Sequence, residues 1–92
     1  PGIGVEAAIY LAHKQAVAIG SDTYGLEAVP FEKKGTFYPV HQELLAKRGI
    51  YILENMDTRE MASDQVWEFM FVLGQPRFEG SVQAVINPVA IH

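Results

Sequence analysis

The fold is decided by residues 39–55, which read PVHQELLAKRGIYILEN. The pattern predicts a short helix over 41–48, a turn at Gly49 and a strand over 50–54 that runs back beside the helix. The helix advances about 10 Å at about 1.5 Å per residue, and the strand returns about 13 Å at about 3.3 Å per residue. The helix and the strand run in opposite directions over similar lengths. His41, at the start of the helix, and Glu54, at the end of the strand, are therefore predicted to lie at a similar height along the helix axis.

His41 and Glu54 have the chemistry of metal ligands. A neutral imidazole and a carboxylate are two groups that a divalent metal accepts together. The spacing alone leaves plainer alternatives open, with His41 a half-buried residue near a helix start and Glu54 a solvated strand end. Glu43 lies two residues from His41, on a different face of the helix, and is interpreted as a surface residue.

The composition is that of an ordinary globular protein. Hydrophobic residues make up 49% of the 92 residues and charged residues 20%, which suits a single small domain over 1–92. The net charge of −4 argues against binding to nucleic acid. No apolar run approaches the roughly 20 residues that cross a bilayer, so no membrane partner is expected. The absence of cysteine favours a cytoplasmic location.

The rest of the pattern predicts an α/β fold, with a small mixed sheet and flanking helices. Apolar residues at helical spacing from Val5 to Ala12 indicate an amphipathic helix. The apolar run 16–20 predicts a buried strand. If this strand pairs with the one near Tyr51, the connection through a helix makes a parallel unit. Residues 26–38 have no clear period and are interpreted as a loop.

The second half of the chain continues the alternation of helices and strands. A helix is predicted from a capping pattern near Asp57 to about Gln65. The apolar run 66–73 predicts a strand, and the alternation over 82–86 predicts another.

In the first half, Phe37 and Tyr38 precede His41 and are interpreted either as the wall of a pocket or as core residues.

Three blocks in this order carry a resemblance to a known family: PGIGVEAA at 1–8, AIGSDT at 18–23, and the span from Val40-His41 to Glu54-Asn55. They resemble the C-terminal part of the cyclase family, which includes kynurenine formamidases, isatin hydrolases and related metal-dependent amide and lactone hydrolases. The resemblance extends over essentially all of 1–92 and implies the C-terminal part of that family's β/β/α fold.

The resemblance also implies a site and a reaction. In the family, a late histidine and a glutamate further along the chain help to hold zinc or manganese, and the matching positions are His41 and Glu54. The ion activates water and polarises a carbonyl group. The implied function is therefore hydrolysis of amide or ester (lactone) bonds in a small carbonyl compound. No residue of this chain is assigned a catalytic role, and the residues that bind the substrate are not identified.

The sequence departs from the family pattern in one respect. Family members carry an N-terminal signature, His-x-Gly-Thr-His-x-Asp-x-Pro-x-His, which supplies the other ligands and an acid/base histidine. The three histidines here, His13, His41 and His92, do not form it. The chain alone is therefore expected to retain the metal poorly and to hydrolyse little. The alternative is a non-catalytic remnant of the fold that oligomerises or binds a small ligand. A homo-oligomer is expected because the apolar surface that the missing part of the family fold would cover is exposed, and exposed apolar patches often bind a partner.

Overall fold

The computed structural model describes residues 1–92 and confirms the α/β class. The chain divides into two compact units, Pro1–Thr58 and Arg59–His92. None of the helices combines the length and the apolar character that a membrane span requires. The first unit contains α1 (Val5–His13), β1 (Ala18–Gly20), α2 (Pro39–His41), a π-helical segment (Gln42–Ala46) and β2 (Tyr51–Leu53).

The strands β1 and β2 form a two-stranded parallel sheet, with Ile19 opposite Ile52. The two apolar runs therefore do pair, which is the condition on which the sequence predicted a parallel unit connected through a helix. β1 is half-buried rather than fully buried as predicted, because this sheet has only two strands.

The core of the first unit lies where α1 meets the helical segment that follows the long loop. The stripe predicted on α1 faces this core, since Ala8 is fully buried and Val5 and Ala12 pack against the cluster. Leu44 is fully buried as well. The buried members of the cluster are Ala8, Leu26, Val40, Leu44 and Ile50.

The helix predicted over 41–48 is present but irregular. Its α-helical part, α2, ends at His41, and the chain continues as the π-helical segment Gln42–Ala46. Such wider turns are rare and occur often at functional sites. The segment carries two consecutive buried residues, Glu43 and Leu44.

Glu43 is buried, so its interpretation as a surface residue is wrong. Its carboxylate accepts hydrogen bonds from Lys47 Nζ at 2.7 Å and from Arg48 Nε at 3.0 Å. Two cations therefore compensate a charge that would be costly to bury alone. The spacing of Glu43 and Lys47, four residues apart on one helix face, was the signal for this contact in the sequence.

The cluster around Glu43 predicts a pH dependence of stability. The hydrogen bonds from Lys47 and then from Arg48 lower the pKa of Glu43 below its ordinary value of 4.5. The carboxylate therefore stabilises the folded chain above pH 4.5, and this contribution is lost as the pH falls through the lower folded-state value. We expect Glu43→Gln to unfold more easily than the wild type at neutral pH, with the difference vanishing in acid. Denaturant unfolding of both proteins across pH checks this, and a pH-independent difference would contradict it.

The second unit contains α3 (Arg59–Ser63), β3 (Met70–Val72) and β4 (Val89–Ile91). β3 and β4 pair antiparallel, with Phe71 opposite Ala90. The two units thus hold separate sheets, and the single mixed sheet predicted from the sequence is wrong. None of residues 59–92 is buried.

The strand predicted over 82–86 is also wrong, because the partner of β3 is the segment after Pro88. Val82 and Val85 are almost fully exposed. Alternating residues stabilise a strand only when a neighbouring strand accepts their hydrogen bonds and covers one face, and 82–86 has no such neighbour. The strand predicted over 66–73 is confirmed only for Met70–Val72.

Candidate metal site

His41 is placed by the start of the helical segment. Pro39 occupies the first turn of α2, a position in which its missing N–H costs nothing. Tyr38, just before it, adopts a left-handed conformation with φ 47° and ψ 55°, which is uncommon for a residue other than glycine. The imidazole of His41 ends α2 with 26% of its side chain exposed, so it remains accessible from solvent.

Glu54 follows the end of β2 and lies next to His41, as predicted from the similar lengths of the helix and the strand between them. Its Oε1 lies 3.3 Å from His41 Nε2. The same oxygen accepts a hydrogen bond from the backbone N–H of Leu26 at 3.1 Å, which fixes the carboxylate toward the ring. The side chain of Glu54 is 31% exposed. The structure therefore brings the two predicted ligand residues together at one accessible point.

Glu27 is a third member of the cluster, and the sequence reasoning missed it. Its Oε1 lies 2.6 Å from His41 Nδ1 and accepts the backbone N–H of His41 at 2.9 Å. Its side chain is only 2% exposed, and its Oε2 is buried without a hydrogen-bond partner. The available signal was a lone carboxylate among apolar residues in the segment Leu26-Glu27-Ala28-Val29, where an unpaired charge is costly.

The backbone at Glu27 is held by the N-terminal segment of the chain. Ile3 and Glu27 form an isolated parallel bridge, with hydrogen bonds from Ile3 N–H to Leu26 O at 2.9 Å and from Ala28 N–H to Ile3 O at 3.0 Å. The approach is close, since a Cβ added to Gly2 would lie 2.2 Å from the carbonyl oxygen of Glu27. The absence of a side chain at Gly2 therefore permits the contact that positions Glu27.

The imidazole of His41 thus lies between two carboxylates at unequal distances. The 2.6 Å contact with Glu27 is that of a strong hydrogen bond to a charged acceptor, whereas 3.3 Å to Glu54 is longer than such bonds. When Nδ1 of a neutral ring carries the hydrogen, Nε2 has a free lone pair. A lone pair that faces a carboxylate oxygen is repelled unless a positive centre, a proton or a cation, lies between them.

The residues present fit part of a divalent-metal site. Two ligands of one tetrahedral zinc ion, each about 2.0–2.2 Å from it, lie roughly 3.4 Å apart, close to the 3.3 Å between Nε2 and Oε1. No group of three or more His, Asp or Glu side chains is arranged so that it could hold a metal ion. Glu27 does not complete the set, because it contacts the opposite nitrogen of the ring. The cluster therefore contains two candidate ligands, His41 and Glu54, and a third residue, Glu27, on the opposite side of the ring.

A pocket of about 210 Å³ opens beside His41. Tyr38 lines this pocket, which agrees with its interpretation as the wall of a pocket. Its ring stands edge-on to the imidazole of His41, with 5.3 Å between the ring centroids. Phe37 is 72% exposed and is not a core residue. The residues that line the pocket are Pro1, Thr23, Tyr24, Gly25, Glu27, Val29, Tyr38 and His41.

Comparison with models of known protein families, with curated proteins and with solved structures found no match to this chain. The resemblance to the cyclase family therefore rests on the sequence blocks alone.

Proposed function

We propose that this chain supplies His41 and Glu54 to the metal site of a cyclase-type hydrolase that acts on amide or ester (lactone) bonds of small carbonyl compounds. The observation that supports this most is the 3.3 Å separation of His41 Nε2 and Glu54 Oε1, two residues 13 positions apart. The pocket beside His41 has a volume of about 210 Å³, which suits a small substrate.

The proposed roles follow from where each residue lies. His41 Nε2 and a Glu54 oxygen would hold zinc or manganese, and Leu26 N–H orients the carboxylate of Glu54. Bound there, a divalent ion supplies Lewis-acid polarisation of the substrate carbonyl. The Tyr38 ring would cover one side of the His41 imidazole, and the substrate would occupy the pocket beside it. The acid/base group and the remaining ligands would come from a second segment with the histidine-rich signature.

Hydrolysis by the assembly that this chain forms in its own cells tests the proposal. We expect material recovered with the tagged chain to hydrolyse aryl formamides, cyclic amides or lactones, and a chelator or His41→Ala to abolish the reaction. The isolated chain with added Zn²⁺ or Mn²⁺ serves as the reference and is expected to show little activity. Hydrolysis that persists in His41→Ala, or that is absent from the wild-type assembly, would contradict the proposal.

The second unit favours an alternative, a non-catalytic role in self-association. Its large apolar side chains are mostly exposed, including Trp67 at 78%, Phe78 at 67% and Met70 at 59%. Exposed apolar surface often marks an interface where it is contiguous. A stable oligomer that is free of metal and shows no hydrolysis would favour this role over the hydrolase, and sedimentation of the purified chain with and without Zn²⁺ distinguishes the two.

A further inference from the structure

Glu27 lies deeper than the two proposed metal ligands and differs from them in kind. It is the most buried carboxylate of the cluster, with a side chain 2% exposed against 31% for Glu54. Its Oε1 accepts the backbone N–H of His41 at 2.9 Å and lies 2.6 Å from Nδ1 of the same residue. Holding one residue by both its main chain and its ring fixes the position of the helix start and the orientation of the imidazole together.

We propose that Glu27 is a positioning residue, which keeps the hydrogen of the His41 ring on Nδ1 and thereby presents Nε2 as a lone-pair ligand toward Glu54. The inference rests on the proposed metal site but concerns a residue that the family resemblance does not assign. A neutral imidazole has one donor and one acceptor nitrogen. An acceptor 2.6 Å from Nδ1 selects the form in which Nδ1 is the donor. Histidines that bind metals typically donate their other ring N–H to a carboxylate or carbonyl, which also makes them stronger ligands.

The burial of Glu27 supports a role beyond that of a backbone hydrogen-bond acceptor. Satisfying the His41 N–H requires only a neutral acceptor, whereas a buried carboxylate with one oxygen unpaired is costly. A cation on the far side of the imidazole offsets part of this cost, because the ring transmits its polarisation to the Nδ1–H that Glu27 binds. Glu32, in the same loop, provides the contrast, because its exposed carboxylate accepts the backbone N–H of Val5.

The test uses Glu27→Gln, which keeps the shape and an acceptor oxygen but removes the charge, and Glu32→Gln as the matched control. Nitrogen NMR of the His41 ring at pH 8, without metal, reports which nitrogen carries the hydrogen. We expect the Nδ1–H form to dominate in the wild type and in Glu32→Gln, and a larger share of Nε2–H in Glu27→Gln. Zinc affinity is expected to fall about 10- to 100-fold in Glu27→Gln, as for other carboxylates behind a histidine ligand, and to be unchanged in Glu32→Gln.

Two results would overturn the inference. One is a dominant Nε2–H form, or a doubly protonated ring, in the wild type, which decides the question even if Glu27→Gln does not fold. The other is a folded Glu27→Gln with an unchanged His41 tautomer and zinc affinity. If the tautomer depends on Glu27 while the wild type binds no zinc through His41, the positioning role holds and the proposed metal site fails. The two proposals therefore fail separately.

Discussion

His41→Ala is expected to lower the already weak zinc affinity of the isolated chain by more than 100-fold. The substitution removes one of the two proposed ligands, and loss of even a supporting residue behind a ligand costs about 10- to 100-fold. Glu54→Gln is expected to weaken binding as well, since a neutral amide oxygen replaces a charged ligand while keeping an acceptor for Leu26 N–H. Calorimetric titration with Zn²⁺, and with Mn²⁺ in parallel, measures both the affinity and the number of ions bound per chain.

Two variants control for adventitious binding to surface groups. His13 is an exposed histidine at the end of α1, and Glu6 is an exposed glutamate on the same helix. We expect His13→Ala and Glu6→Gln to bind zinc like the wild type. Binding that is lost equally in all four variants, or that is indifferent to His41→Ala, would show that the ion is held elsewhere on the chain.

Leu44→Ala is expected to lower the free energy of unfolding of the Pro1–Thr58 unit by about 2–5 kcal/mol. Leu44 is 0% exposed and belongs to the core beneath α1, so the variant loses both the transfer free energy of the side chain and the packing around it. Small domains have a total stability of about 5–15 kcal/mol, and the loss would be a large fraction of it.

Leu45→Ala is the matched control, because the neighbouring side chain is 43% exposed. We expect it to cost about 1 kcal/mol or less, as for substitutions near the surface. Urea unfolding followed by far-ultraviolet circular dichroism compares both variants with the wild type. Equal losses for the two substitutions would mean that the helical segment does not bury Leu44 in preference to Leu45.

The elements around the site were largely predictable because local pattern decides them. The stripe from Val5 to Ala12 predicts α1, and the apolar runs near Ile19 and Ile52 predict the two strands, although not that they pair. The return of Glu54 to His41 followed from the rise per residue of a helix and a strand. These predictions needed no knowledge of how distant segments meet.

The contacts that the sequence did not predict depend on tertiary structure. Glu27 reaches His41 only because the loop 26–38 folds back and because Ile3 pairs with Glu27, which the absence of a side chain at Gly2 permits. No local periodicity in the sequence encodes these contacts. Glu43 became buried through the π-helical segment and its two cations. In the second unit, several segments were equally apolar. The partner of β3 is Val89–Ile91, which is set by hydrogen bonding between the strands and not by the alternation of apolar and polar residues within one segment.

The most direct test of the metal site is an anomalous-scattering map from crystals of the chain grown with Zn²⁺. We expect a zinc peak about 2.0–2.2 Å from both His41 Nε2 and a carboxylate oxygen of Glu54, with Glu27 remaining on Nδ1. A map with no zinc at this point, in which the imidazole donates a hydrogen bond from Nε2 directly to Glu54, would show that the cluster is an ion pair and contradict the proposed site.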